Sequence, residues 1–596
     1  MLLSLKLFAQ TDFPPPTILQ KIEAHRTTGY IKLDGVLDEP DWQNAPVLRG
    51  FKQVEPRQGE PAYFDTEVRI LFDNKNLYIG IFAKDTIGKA GLRTNDLTRD
   101  FSFDNNDLVG IQIDPYNTRR NAIVFQVTPY GNLRDQQSFD DNIFDLNWNA
   151  LWDARTTVTA KGWYAEIAIP FNTLAYPAYK PTDSINWGIN FVRIHRRSNE
   201  ISAFPGYPRS FDTYRMTYVA SLTGLQPPKQ DLNLRVDPYV TIENDGLKTS
   251  QSDKSKTTVK EGGDIRWGNT SHSTVDLTFN TDFAEADADQ DIINLTRYSI
   301  ALPERRQFFL ENAGLLTVGD PLNLMPYFSR DIGLNANGQP IPIIAGLKYT
   351  DRTSSRSIGV LYTLQNSDNI TPVTQFGVFR YVKNYYKEDN FGVILTEKAT
   401  SVSNNTVLGI SGVNRIGNWR FNYLWSNSID KGSKPDTSQA GTGSNLHVTY
   451  LTNNFLFESN HTLVSQQYIP GIGFVSQSNL LMSNTHFSFF PRPKWKPDYI
   501  RNFQPGFWVN LQQKASDLSL QGIDLSFFLV YLNFTDGSVF VIDPTVWREN
   551  LSVPFNLVNL NIGKGSYNFT NINLYYNSDL SKKISVAITA QAGGWY

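Results

Sequence analysis

A flat ring beside carboxamides is the combination that grips a polyhydroxylated ligand. The ring stacks on C–H faces while Asn, Asp, Gln and Arg read the hydroxyls. Residues 142–152 (NIFDLNWNALW) carry that mixture. Trp148 and Trp152 lie four apart, so on an extended strand both project to one side. Trp148, flanked by Asn147 and Asn149, is the stacking platform; Trp152, leading into Ala154 and Thr156, reads as core. Tyr116 and Arg119 are further candidate contacts, from a polar set with Asp114, Asn117 and Arg120 that reads otherwise as a solvated turn. Trp42, and Trp163 of the Gly162-Trp-x-x-Glu166 stretch, read as buried anchors.

Catalytic signatures are not written in the chain. It contains no G-x-S-x-G, no H-E-x-x-H, no G-x-x-x-x-G-K-[ST] and no strand-borne G-x-G-x-x-G. With no cysteine, thiolate nucleophiles, disulfides, Zn–Cys sites and iron–sulfur clusters are excluded. The six His residues show no H-x-H or H-x-x-x-H spacing. Glycoside hydrolysis needs two carboxylates at a set separation, and among 58 Asp and Glu no pair stands out. Lys plus Arg (55) nearly cancels that total, leaving −3, so there is no basic field for nucleic acid.

An apolar content of 40% supports packed cores, and 78 aromatics (12 Trp, 28 Tyr, 38 Phe) are the compositional outlier. Residues 1–16 (MLLSLKLFAQTDFPPP) read as the remnant of a secretory signal with a linker, which implies export. No apolar window reaches the length of a membrane-crossing helix, but a β-barrel needs only strands of about 10 alternating residues.

Residues 17–225 carry strands apolar on both parities: Val68–Phe72 and Leu77–Phe82 around the turn 73–76, then Leu108–Ile113, Ile123–Thr128, Trp163–Ile169 and Ile185–Ile194. An antiparallel β-sandwich, with one helical turn at Glu39–Ala45, fits them. Residues 226–232, opening on Gln-Pro-Pro, form the linker. Over 233–596 the pattern becomes strict alternation. Trp419, Phe421, Tyr423 and Trp425 oppose Arg420, Asn422 and Ser426; Phe507, Val509 and Leu511 alternate with Asn510 and Gln512; Ile584, Val586 and Ile588 alternate with Ser585 and Thr589. Helix candidates to cover so many apolar faces are few, the best being Asp289–Ala301. The pattern predicts a transmembrane-type antiparallel β-barrel of about 14 to 16 strands, with Tyr381, Tyr385, Tyr386, Tyr575 and Tyr576 at interfacial girdles and a chain end that reads as truncated.

The acidic run Asp282, Glu285, Asp287, Asp289, Asp291 calls for counter-charge. The spacing fails as an EF-hand loop: no Gly stands at the sixth position, and the twelfth from Asp287 is Tyr298. The favoured reading is a luminal ion-pair network with Arg297, Arg305, Arg306 and Arg330 that ties an inserted segment to the wall. Asp287, Asp289 and Asp291 are the candidates for an irregular Ca2+ site.

Four ordered pieces resemble a family 9 carbohydrate-binding module: residues 31–42 (IKLDGVLDEPDW), 66–79 (TEVRILFDNKNLYI), 107–114 (DLVGIQID) and 162–171 (GWYAEIAIPF). The C-terminal part resembles an uncharacterised family of outer-membrane barrels of Gram-negative bacteria that follow such modules. The residues carrying this are 280–283 (NTDF), 285–289 (EADAD), 294–296 (NLT), 302–311 (LPERRQFFLE) and 327–330 (YFSR). The resemblance implies export and binding of a polysaccharide or oligosaccharide, with outer-membrane lipid and envelope proteins as further partners. The expected function is capture or admission of glycans beside polysaccharide degradation. The rivals are a secreted glycoside hydrolase with catalysis in the C-terminal β region, and a structural envelope protein whose sandwich has lost sugar affinity.

Overall fold

In this computed structural model the described residues are 13–594 apart from 140–142, 147, 175, 178, 180–184, 212, 229–232, 250–251, 271–272, 282–293, 295–297, 311, 336, 354, 387, 433–437 and 558–559. The acidic run, its Ca2+ candidates, Arg297 and Asn147 therefore lie outside the described residues.

The two-sided apolar strands of the N-terminal half pair into two sheets that face each other. Five strands order around Thr66–Phe72, Asn76–Lys84 and Gly162–Pro170; nine order around Leu108–Asp114, Asn121–Val127 and Trp187–His195. The pairing is antiparallel except for two short edge pairs, Lys21–Glu23 with Ala220–Thr223 and His25–Arg26 with Thr66–Phe72. One parity of each strand fills the core between the sheets, for instance Val68, Ile79, Ile111, Phe125, Ile167 and Trp187. Trp152 and Trp163 belong to it, as their surroundings in sequence require.

The second parity of the five-stranded sheet is covered locally. Leu71 and Tyr78 lie under Ile31, Leu37, Trp42 and Ala45, and Trp42 sits on the single helical turn Pro40–Asn44. Glu166 fixes that cover. Its fully buried carboxylate accepts the Asp34 amide (2.8 Å), the Gly35 amide (3.0 Å) and Trp42 Nε1 (3.1 Å). Gly162 opens the same strand at φ +138°, where a Cβ would stand 2.3 Å from the Ala83 carbonyl. The Gly-Trp-x-x-Glu stretch is thus an architectural device: a turn only glycine fits, a core ring and an anion that gathers N–H groups.

Among the described residues from Asn233 onward, the alternating strands form one continuous antiparallel sheet of nineteen strands, open between Asn233–Thr249 and Ala587–Gly593. The count exceeds the expected 14 to 16 because many connections are only two to four residues long and two short strands, Ile500–Phe503 and Val530–Phe534, widen one rim. The last strand begins later than the alternation implies, so Ile584 and Val586 lie in the preceding connection. Inward and outward faces separate as the period of two demands. Along Asp389–Ala399, Asn390, Ile394 and Thr396 are buried while Phe391 and Leu395 are exposed. Trp419, Tyr450, Phe457, Phe487, Phe507 and Phe527 are cross-strand partners in succession, an outward aromatic row across six neighbouring strands.

The sheet curls around an inserted segment, residues 298–341. Phe308, Phe309 and Leu316 pack inside against Leu361, Phe376, Val378 and Ile394. Polar contacts reach strands far apart in the order: Asn312 donates to Thr350 Oγ1, Asn460 and Thr462 donate to Asp320, and the Tyr298 hydroxyl donates to Gln512. The acidic run expected to pair with its arginines lies outside the described residues. Arg306, fully buried, pairs with Glu304 (2.8 Å) and donates to the Ile332 and Ser329 carbonyls, which braces the segment internally.

The sandwich docks on one rim of the sheet. Connections there are short: two residues after Ile416, three after Leu451 and four after Phe534. On the opposite rim they run to eight after Gln365, fifteen after Val464 and six after Gln513. The two longer connections of the docked rim, after Phe489 and Asn577, both touch the sandwich. Arg492 pairs with Glu55 (3.2 Å), and Asn95 donates to the Leu580 carbonyl (2.7 Å). At the centre of the junction Glu388 holds Arg215 (2.9 Å), Arg415 (3.2 Å) and the Thr217 hydroxyl. Burial would raise this carboxyl, but the guanidinia of Arg215 and Arg415 hold it below the usual range.

Candidate functional site

Two cavities open where sandwich and barrel wall meet, and Asn121 and Arg352 line both. The first, about 460 Å3, takes Trp148, Asn149, Tyr116 and Gln137 from the sandwich and Arg235, Arg266 and Arg352 from the barrel. The second, about 540 Å3, follows the inner face of the sheet past Arg380, Arg420 and His447, with Asp320 of the inserted segment and Arg120 of the sandwich.

Trp148 is half-buried, with its edge on the core ring Phe125 (6.4 Å, 64°). Trp152 meets the same Phe125 (5.1 Å, 68°), but both tryptophans lie outside the strands Ile143–Asp145 and Asp153–Thr159, so contact with one ring and not strand alternation brings them together, one as core and one at a cavity wall. Asp135 steadies the segment that carries them. It accepts the Ala150 amide and pairs with Arg99 (2.6 Å), although burial raises its carboxyl. Among the described residues Gln137 Oε1 is buried without a hydrogen-bond partner in the wall of the first cavity, an acceptor available to a ligand hydroxyl.

The polar set 114–120 is not the solvated turn that its sequence favours. Asp114 is 2% exposed, and its Oδ2 accepts the Arg119 amide (2.6 Å) and the Thr118 hydroxyl (3.1 Å). Asn117 and Arg119 take left-handed backbone to make this possible. Burial pushes the Asp114 carboxyl up to about 6. Burial likewise raises the Tyr116 hydroxyl, against the opposing charge of Arg352. Arg120 is buried and donates to the Asp389 carbonyl. Arg119 does not line the cavity; its guanidinium turns to the Thr217 carbonyl (3.4 Å). The turn is therefore a docking element that brings Tyr116 to the cavity and Arg119 to the junction.

Sequence reasoning missed a second polar group. Gln112, Gln126 and Asn190 sit on neighbouring strands of the nine-stranded sheet, on the face away from the core, each at most 2% exposed. Among the described residues, both amide atoms of Gln112 and Gln126, and Asn190 Oδ1, lack partners. Unpaired buried amides are costly unless water or a ligand satisfies them. Their only signal is a carboxamide in the middle of an apolar strand (LVGIQID, NAIVFQV, WGINFVRIH).

Among the described residues no helix is long and apolar enough to cross a membrane. Of the luminal carboxylates, Asp276 pairs with Lys348 (3.5 Å) and Asp320 accepts from Asn323 (2.8 Å), so both serve as structural anions.

Curated proteins offer no match. Among solved structures, the chain is similar to a carbohydrate binding module family 9 from Caldicellulosiruptor kristjanssonii in complex with cellotriose, at 13% identity over 36% of this chain and 96% of that one, TM-score 0.26. It is similar to a putative carbohydrate-binding protein from Bacteroides uniformis, at 9% identity over 35% of this chain and 99% of that one, TM-score 0.28. It is also similar to the outer membrane protein opdK from Pseudomonas aeruginosa, at 7% identity over 82% of this chain and 98% of that one, TM-score 0.24. By sequence family, residues 230–355 match the Domain of unknown function (DUF5916), and residues 33–200 match the Carbohydrate family 9 binding domain-like family.

Proposed function

We propose that this protein is a carbohydrate-binding outer-membrane protein whose sandwich holds a glycan at the mouth of its barrel. The observation that carries the reading is the first cavity. A half-buried tryptophan, a tyrosine and two carboxamides converge there with barrel arginines, the donor and ring set that sugar recognition needs. Outer-membrane placement is supported by the outward apolar face and by the aromatic row, which has the form of an interfacial girdle. In such barrels short turns face the periplasm and long loops the exterior, so the short-turn rim and its docked sandwich belong on the periplasmic side.

The experiment is titration of the detergent-solubilised full chain with cellotriose, read by tryptophan fluorescence and calorimetry. Wild type binds, and Trp148→Ala weakens binding at least tenfold while the far-UV spectrum stays that of the wild type. Equal affinity of the two proteins, or no binding of any oligosaccharide by either, would refute the carbohydrate reading. Fractionation tests the membrane reading, which fails if the full-length product is found in the soluble fraction. The native chain has no cysteine, so single cysteines at Ser519 (long-loop rim) and Asn418 (short-turn rim) report sidedness. An impermeant thiol reagent on intact cells should label the first and spare the second.

A further inference from the structure

We infer that the barrel wall carries a saccharide subsite of its own, with the indole of Trp508 as its platform and Asn484, Asn510 and Asp524 as its hydroxyl readers. This deepens the carbohydrate reading above and rests on it. Trp508 is the inward neighbour of Phe507 on the strand Gly506–Gln513, and its ring is 50% exposed against 36% for the outward Phe507. An inward indole that stays half open looks onto space and not onto packed atoms. Its cross-strand partners are polar, His486 on one side and Ser526 on the other. His486 is held beside it, with ring centroids 6.3 Å apart, an ion pair to Glu458 (3.6 Å) and a hydrogen bond to Ser488 Oγ (2.9 Å). A large ring left open among polar groups contributes little burial to the fold; the flat face it presents suits the C–H face of a sugar.

The readers lie one step deeper on the same face. Inward side chains of six neighbouring strands form a row of cross-strand partners: His447, Asn460, Asn484, Asn510, Asp524 and Trp547. Among the described residues Asn484 Oδ1, Asn510 Oδ1 and Asp524 Oδ1 are buried without a hydrogen-bond partner. Three adjacent acceptors call for donors. Sugar hydroxyls supply them, and can accept in turn from the carboxamide N–H groups. Asn510 follows Trp508 by two positions on one face, and Asn484 and Asp524 are the diagonal neighbours of the indole, about 7–8 Å away. A hexose stacked on the ring therefore has its hydroxyl edge at the row. Two positions deeper again the wall is taken, because the Tyr298 hydroxyl donates to Gln512. The row starts inside the second cavity, which His447 and Asn460 line, and that cavity shares Asn121 and Arg352 with the first. From Trp148 a glycan thus has a continuous polar path to a second ring inside the barrel.

The test is calorimetric titration of the solubilised full chain with cellotriose. Trp148→Ala, which lacks the sandwich platform, should keep a weaker residual binding that belongs to the wall. Adding Trp508→Ala should weaken that residual binding about tenfold or more, the scale of one ring's stacking, and Trp508→Phe in its place should keep most of it. Trp508→Ala alone should leave the tighter binding at Trp148 as in wild type. Asn510→Ala in the Trp148→Ala background is the second variant should removal of the indole disturb the strand, and it too should weaken the residual binding. Residual binding that these substitutions leave unchanged, or none at all in Trp148→Ala, overturns the wall subsite and assigns the three acceptors to water, while the platform at Trp148 stands. No binding of any oligosaccharide by wild type overturns the carbohydrate reading and the subsite with it.

Discussion

Replacing Glu388 by Gln tests whether the sandwich is held on the barrel rim by the charge at the junction. The carboxylate accepts Arg215 through Nε (3.2 Å) and Nη2 (2.9 Å), accepts the Thr217 hydroxyl, and stands 3.2 Å from Arg415 Nε. The acid and both arginines are about one-seventh exposed, so solvent screens them little. Removing one partner of a buried ion pair costs about 3–5 kcal/mol because the other is left uncompensated. Gln keeps one acceptor oxygen and leaves two cations facing a neutral group, so the lower end applies, about 3 kcal/mol. At about 1.4 kcal/mol per decade that is roughly a hundredfold. The assay is amide hydrogen exchange of the full chain in detergent, read over 213–219, the segment that carries Arg215 and Thr217. Protection there should fall about a hundredfold in Glu388→Gln. In the cycle with Arg215→Gln the double variant should fall far short of the sum of the singles. Because the folded-state carboxyl is held below its ordinary value, its contribution is complete above about pH 4.5 and lost only as pH drops further. Unchanged protection over 213–219, or additive single effects, would refute the reasoning.

Two other expectations concern the sandwich. Asp114, pushed up to about 6 by burial, keeps a proton that the unfolded chain gives up near pH 4, so stability falls as pH rises from about 4 to 6, by roughly 3 kcal/mol at 1.36 kcal/mol per unit. Asp114→Asn should flatten that slope in thermal unfolding; a slope equal to wild type's would remove the assignment. Glu166→Gln puts an amide N–H against N–H groups of Asp34, Gly35 or Trp42 and should cost about 2–4 kcal/mol, read as faster exchange over 33–42 and a lower unfolding temperature of the sandwich. Wild-type exchange in that segment would show that the gathered N–H groups contribute little.

What could be read in the sequence is what a local period dictates. The strands beyond 233 were legible because each has one face turned into the curl of the sheet and one turned outward, and so must alternate. The sandwich strands were legible because turn residues punctuate apolar runs. Trp42, Trp152 and Trp163 were assigned to the interior because apolar neighbours at strand spacing leave them no other place. The candidate site was half legible. Trp148, Asn149 and Tyr116 do meet in one cavity, but nothing local shows that its opposite wall comes from the barrel. Arg119 and Arg120 gave no sign of belonging to a docking turn, since Arg120 meets Asp389 across 269 positions. Gln112, Gln126 and Asn190 were passed over because a single carboxamide in a buried strand has no periodic partner.

The shared wall of the cavity has a thermodynamic consequence for how the two halves work. A platform meant only to tether the protein to glycan would face open water, and binding there would be indifferent to the barrel. Trp148 instead looks onto Arg235 and Arg352, so a ligand that touches both walls has its full set of contacts only while the sandwich is seated. Occupancy then stabilises docking by the free energy of binding to the seated form, and weaker docking lowers apparent affinity by the seated fraction. On the proposed carbohydrate reading, the junction at Glu388, which does not line the first cavity, becomes part of what sets glycan affinity.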